Sequence, residues 1–254
     1  MLTERVDFQG PHGKLSGKLD MPDGTPRAYG VFAHCFTCSK DVLAANRISH
    51  GLAERGVAML RFDFAGLGAS AGDFADTNFS SNVEDLIAAA AFLREKFEAP
   101  RLLVGHSMGG TAVLAAAHRI PESRAVVTIA SPSDPHYVVN ALLHEHLDTI
   151  AQLGEARVKL AGRNFNIRQQ FVEDATQHQL ADRIANLGRA LMVMHAPNDD
   201  TVDIANASRI VELAAYPKSF VSLDGVDHLV TGREDAAQVA AMIAAWSARY
   251  IDAA

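Results

Sequence analysis

The sequence predicts an α/β domain built on an eight-stranded, mostly parallel sheet with helices on both faces. Six short apolar runs, Tyr29 to His34, Val57 to Phe62, Leu102 to His106, Ala125 to Ala130, Ala190 to His195 and Ser219 to Leu223, alternate with helical stretches. That rhythm is the signature of parallel strands joined by helical crossovers. The runs are apolar almost continuously rather than at every second residue, as expected where helices cover both faces of a sheet. Two earlier runs, Arg5 to Phe8 and Leu15 to Leu19, flank Gly10-Pro11-His12-Gly13 and predict an antiparallel hairpin, which brings the count to eight.

Between the strands, Val83, Leu86, Ile87, Ala90, Leu93 and Phe97 fall on one helical face, with Ser81 and Glu84 at capping-box spacing before it. Val239, Met242, Ile243, Trp246 and Tyr250 form a similar stripe near the end of the chain. Residues 135–188 break the alternation and are too long for a structureless loop. Helical runs there, Val138 to Leu147 and Phe171 to Leu187, predict a helical cap inserted after the sixth strand, leaving residues 1–134 and 189–254 as the core domain. An insert at that point overhangs the carboxyl edge of the sheet, where open α/β folds bind ligands. Phe165 and Phe171 are its candidates for lining a substrate pocket, with Ile167 and Leu180 beside them.

With 254 residues, 48% of them hydrophobic, the chain can bury a sizeable core without staples. A net charge of -7 argues against a surface for polyanions, so nucleic acid is not an expected partner. No eighteen uncharged apolar residues run together, and Met1 to Gly10 holds charges of both signs. A protein without a membrane partner, in the cytoplasm, is the expectation. The two cysteines, Cys35 and Cys38, cannot build a secreted disulfide framework and read as small buried thiols packing a loop. A redox-active C-x-x-C pair is the alternative.

The most specific signal is Leu102-Leu103-Val104-Gly105-His106-Ser107-Met108-Gly109-Gly110, a buried strand entering G-x-S-x-G and then an alanine-rich helix. A strand-turn-helix elbow of this kind pushes the serine oxygen into the open, and small flanking residues let the backbone fold tightly around it. Ser107 is therefore the candidate nucleophile. It also stands at a helix N-terminus, where the Met108 N–H is free to hold an oxyanion.

A serine hydroxyl needs a histidine to take its proton and an acid to orient that histidine. In this arrangement they follow the seventh and eighth strands, in that chain order. Ala196-Pro197-Asn198-Asp199-Asp200-Thr201-Val202 supplies Asp199, with Asp200 and the more distant Asp134 as competing acids. Asp224-Gly225-Val226-Asp227-His228-Leu229 supplies His228. The second oxyanion donor belongs to the loop after the third strand, Ala33-His34-Cys35-Phe36-Thr37-Cys38-Ser39-Lys40-Asp41, as the backbone N–H of Phe36. His106 and Cys35 are candidate pocket-lining residues. His144 and His146 stand two apart and diverge on a helix, so neither a metal site nor a cofactor is expected.

Together with Arg61-Phe62-Asp63-Phe64-Ala65-Gly66-Leu67-Gly68-Ala69-Ser70, these motifs resemble the α/β-hydrolase superfamily over nearly the whole chain. His34-Cys35-Phe36-Thr37-Cys38-Ser39-Lys40-Asp41, Asn78-Phe79-Ser80-Ser81-Asn82 and Pro217-Lys218-Ser219-Phe220-Val221 resemble the hydrolase half of bifunctional α/β-hydrolase/OsmC proteins, although no OsmC-like half is present here. The resemblance implies a serine hydrolase of the carboxylesterase type acting on a small acyl substrate, with a functional link to an OsmC-like domain. One position departs from the superfamily pattern: Cys35 stands where the oxyanion loop usually carries glycine. A thioester, a lactone or an N-terminal peptide suits the same machinery. The competing readings are a thiol redox module using Cys35 and Cys38, and a ligand-binding member of the fold without catalysis.

Overall fold

The computed structural model describes residues 1–160 and 162–252. The chain opens with the hairpin β1 (Leu2–Gly10) and β2 (Gly13–Met21), followed by β3 (Ala28–Ala33), α1 (Leu43–Ala53), β4 (Val57–Phe62), α2 (Phe79–Lys96), β5 (Leu102–His106), α3 (Met108–Ala116) and β6 (Ala125–Ile129). An insert follows, comprising α4 (His136–Leu142), α5 (Leu147–Leu153), β7 (Glu155–Leu160), β8 (Arg163–Arg168), α6 (Gln169–Gln177) and α7 (Ala181–Ala185). The chain then returns through β9 (Ala190–His195), α8 (Ala205–Leu213), β10 (Lys218–Ser222) and α9 (Arg233–Ile251).

The main sheet has eight strands in the order β1-β2-β4-β3-β5-β6-β9-β10. β2 runs antiparallel to β1 and β4, whereas the remaining neighbours are parallel. The central strands are buried along their whole length, which explains their unbroken apolar sequence. Two hydrophobic cores cover the two faces. One gathers Leu60, Leu86, Leu103 and Val113 with α2 and α3; the other gathers Ile48, Val104, Val127 and Ile243 with α1 and α9. The parallel register sets Ala33 beside Gly105 and His195 beside Ser222. The carboxyl ends of β3, β5, β9 and β10 thus emerge along one edge.

The insert is not purely helical. β7 and β8 pair antiparallel, with Ala156, Val158, Leu160, Phe165 and Ile167 buried while Glu155, Arg157 and Lys159 are exposed. Glu-Ala-Arg-Val-Lys-Leu is a strict two-residue alternation, which demands a strand rather than a helix. The helical runs around it are also broken. Residues 144–146 form a 3₁₀ turn between α4 and α5, and His178 leaves α6 in extended conformation.

At the start of α2 the capping box is formed by Asn78 and Ser81, not by Ser81 and Glu84. The Ser81 N–H donates to Asn78 Oδ1 at 2.8 Å and the Asn78 N–H to Ser81 Oγ at 2.9 Å. The helix therefore starts at Phe79, and Glu84 is free to pair with Arg119. The loop after β4 braces the one after β3: Asp63, 1% exposed, accepts the N–H groups of Lys40 at 2.7 Å and Ala69 at 2.9 Å. Arg61 beside it reaches Asp20, Asp41 and the Lys40 carbonyl.

Asp85 of α2 is fully buried, with Oδ2 accepting the Ala65 N–H at 2.8 Å and Oδ1 unpartnered. Burial pushes its pKa from 3.8 up to about 7. Between those values the folded chain binds more protons than the unfolded one, so this group makes stability fall as pH rises through that window. Asp85→Asn keeps an acceptor for Ala65. The variant is expected to lose that part of the pH slope and to have a higher urea midpoint than the parent at pH 8; an unchanged slope across the window contradicts the assignment.

Candidate active site

Ser107 ends β5 and precedes α3 with φ 54° and ψ -128°, a conformation that side chains rarely adopt. Two glycines make the turn possible. A Cβ on Gly105 would lie 2.5 Å from Gly110 Cα, and one on Gly109 would lie 2.6 Å from the Ala33 carbonyl carbon. The Ser107 N–H is tied to the Ile129 carbonyl at 2.8 Å, and the Ser107 carbonyl accepts the Gly110 N–H at 2.8 Å. The strained residue is thus held on both sides, at a cost of roughly 1–3 kcal/mol that the surrounding packing offsets.

The loops after β9 and β10 bring Asp199 and His228 to this serine. His228 Nε2 lies 3.1 Å from Ser107 Oγ, and its Nδ1 lies 2.8 and 3.0 Å from the two Asp199 carboxylate oxygens. A carboxylate only accepts, so Nδ1 carries the hydrogen and Nε2 is left to accept from the serine hydroxyl. Burial alone would raise the Asp199 pKa, but hydrogen bonds from His228 and from the Val202 and Thr201 N–H groups outweigh it and hold the carboxyl below its usual range. The competing acids are occupied elsewhere. Asp200 is exposed and accepts the Thr201 hydroxyl, while Asp134 accepts the N–H groups of His136 and Leu180 within the insert.

Three further histidines, each the last residue of its strand or the one after it, anchor these loops. His34 Nδ1 lies 2.8 Å from the Cys35 carbonyl, His106 Nε2 lies 2.7 Å from the His228 carbonyl, and His195 Nε2 lies 2.8 Å from the Val202 carbonyl. A carbonyl can only accept, so each ring donates there. All three are at most 1% exposed, and burial lowers the pKa of His34 and takes that of His106 to about 4. The motif placed His106 beside the nucleophile, but the anchoring role of the three was missed. The available signal was the recurrence of histidine at the ends of three predicted strands.

The His34 contact bears directly on the loop after β3. The Cys35 carbonyl also accepts the Cys38 N–H at 3.1 Å, so the peptide joining Cys35 to Phe36 is held from its oxygen side. In a trans peptide the Phe36 N–H points the opposite way. Among the described residues, neither that N–H nor the Met108 N–H has a hydrogen-bond partner. Cys35 and Cys38 are joined in a disulfide rather than standing as free thiols, and Thr37 between them has φ 62°. The side chain replacing the expected glycine is therefore turned into a covalent staple across the turn.

Residues 24–180 match the family model described as serine aminopeptidase, S33. The chain belongs to this family of α/β-hydrolases. This hydrolase is 46% identical to the esterase domain of a Rhodothermus marinus protein, covering 99% of this chain and 100% of that one with a TM-score of 0.82. Est1E from Butyrivibrio proteoclasticus, described with bound ferulic acid, shares the fold at a TM-score of 0.84 with 20% identity, over 98% of this chain and 100% of that one. The palmitoyl-protein thioesterase ABHD10 of mouse mitochondria is 28% identical over 168 residues, which are 64% of this chain and 55% of that protein. The chain thus spans only about half the length of that relative.

In the hydrolase a cavity of about 400 Å³ is lined by Cys35, Cys38, Leu43, His106, Arg163 and Leu229 among others, including chain neighbours of Phe36, Ser107 and His228. Cys35 and His106 line this cavity, and neither Phe165 nor Phe171 shares it. Phe165 lines a separate open groove with Phe74 and Arg157, and Phe171, 2% exposed, packs its ring 5.2 Å from that of Phe36. Among the described residues, no helix is long and apolar enough to cross a membrane, and no cluster of three His, Cys, Asp or Glu side chains is placed to hold a metal ion. Because the elbow leaves no room at Gly105, Gly105→Ala is expected to lower stability by about 1–3 kcal/mol, read as a lower urea midpoint. An unchanged midpoint would show that the turn is looser than these contacts imply.

Proposed function

We propose that the protein is a serine esterase that cleaves small carboxylic esters through an acyl-Ser107 intermediate, with Asp199 and His228 as the other members of a catalytic triad. The observation that carries this reading is the continuous line from the Asp199 carboxylate through both nitrogens of His228 to Ser107 Oγ. The 46% identity to an esterase domain supports the same reaction class.

In this mechanism Ser107 Oγ attacks the ester carbonyl while His228 Nε2 takes its proton. The imidazolium that forms is held by ionised Asp199, which does not take the proton itself. Negative charge developing on the carbonyl oxygen is received by the N–H groups of Phe36 and Met108, with the N-terminus of α3 adding its partial positive charge. Collapse expels the alcohol, protonated by His228, and leaves the acyl group on Ser107. Water then attacks this acyl-enzyme, with His228 again taking the proton, and the acid is released. The mouse relative is named as a thioesterase, and the same steps serve a thioester with a thiol as leaving group.

Turnover of p-nitrophenyl acetate and butyrate tests the assignment. Ser107→Ala is expected to lower kcat by about 10⁴-fold or more, whereas equal rates in the two proteins would remove Ser107 from the mechanism. A fluorophosphonate probe is expected to label the parent at Ser107 and to leave Ser107→Ala unlabelled. An unlabelled parent would instead favour a ligand-binding role for the fold.

A further inference from the structure

Arg163 breaks the pattern of the hairpin that carries it. Across that hairpin Ala156 opposes Ile167, Val158 opposes Phe165 and Leu160 opposes Arg163. The first five of these side chains are all buried, so the two-residue period assigns Arg163 to the inward-facing row. A charge at the end of an apolar row carries a desolvation cost unless water or a partner reaches it. Its guanidinium lies over the Phe165 ring, 5.1 Å from the centroid, and the residue stays exposed while lining the 400 Å³ cavity.

That cavity is built from the neighbours of the reacting groups. Cys35 and Thr37 flank Phe36, His106 precedes Ser107 and Leu229 follows His228. Leu43 and Leu229 give it an apolar wall, and its volume lies in the range of roughly 300–1,000 Å³ that holds a small organic ligand. The second charged residue in the lining is Asp41, which is already compensated by Lys18 and Arg61, each at 2.7 Å. Arg163 has no ion pair among the described residues. The cavity therefore combines an apolar wall, a compensated carboxylate and one cation with its charge unspent.

We infer that Arg163 is a specificity-determining residue that selects esters carrying an anionic group, a carboxylate being the simplest, on the part of the substrate that enters this cavity. The inference rests on the serine-esterase reading above. The apolar stem of such a substrate packs along Leu43 and Leu229, and its anion meets the guanidinium at the rim, where a planar fork of N–H donors suits a carboxylate.

The test compares kcat/KM for charged and neutral esters of matched size. One series pairs the p-nitrophenyl monoester of glutaric acid with p-nitrophenyl valerate, placing the charge on the acyl side. The other pairs 4-acetoxybenzoate with phenyl acetate, placing it on the leaving group. In one of the two series, Arg163→Met is expected to lower the charged-to-neutral ratio by about fivefold, the scale of one partly exposed ion pair. Arg163→Glu should lower it further, and added salt should bring the parent's ratio toward that of Arg163→Met. Ratios unchanged in both series, with neutral esters still turned over, overturn the role of Arg163 alone. Failure of the parent to hydrolyse any neutral ester would instead bring down the esterase reading and this inference with it.

Discussion

The arrangement depends on one constraint: four loops must leave the same edge of a parallel sheet with their backbones fixed to within a hydrogen bond's tolerance. Parallel pairing sets the strand ends level, but pairing stops where the loops begin. From there, buried histidines take over. His34, His106 and His195 each donate one ring N–H to a carbonyl of the loops after β3, β10 and β9, respectively. Either form of the ring could donate to a carbonyl, and burial keeps His34 and His106 neutral by disfavouring the charged form. Among the described residues the other nitrogen of each ring is buried without a partner, a cost of about 1–3 kcal/mol apiece that buys position.

The loop after β3 shows how several devices converge on one peptide. Its backbone is held by the His34 ring, by the Cys38 N–H and by the disulfide that spans Phe36, while Asp63 and Arg61 grip Lys40 and Asp41 further along. A glycine at position 35 would give the turn freedom. Here cross-links replace that freedom with restraint, and among the described residues neither the Phe36 N–H nor the Met108 N–H has a hydrogen-bond partner.

The fold and the residues of the candidate site were legible because each rests on local chemistry. The buried strands announce themselves as unbroken apolar runs, Ser107 by the glycines its turn requires, and Asp199 and His228 by their place on loops after the last two sheet strands. What was not legible depends on partners distant in the chain. Whether the cysteines pair, which carbonyl His195 meets, and which phenylalanine faces a cavity are settled by tertiary packing, so Phe171 proved to support Phe36 rather than a pocket. The hairpin at 155–168 was the exception: its two-residue alternation was visible, but the helical runs on either side obscured it. Arg163 becomes conspicuous only once that alternation assigns it to the inward row.

In the proposed mechanism a hydroxyl, an imidazole and a carboxylate from three separate loops act together to form a covalent acyl-enzyme. The most direct measurement is mass spectrometry of protein quenched in acid during turnover of p-nitrophenyl butyrate, followed by proteolysis. One butyryl group is expected on the peptide containing Ser107, accumulating further in His228→Ala when the ester is activated enough to acylate without the base. A butyryl group on any other residue, or hydrolysis at full rate with no acylated peptide at any quench time and in neither protein, would contradict it.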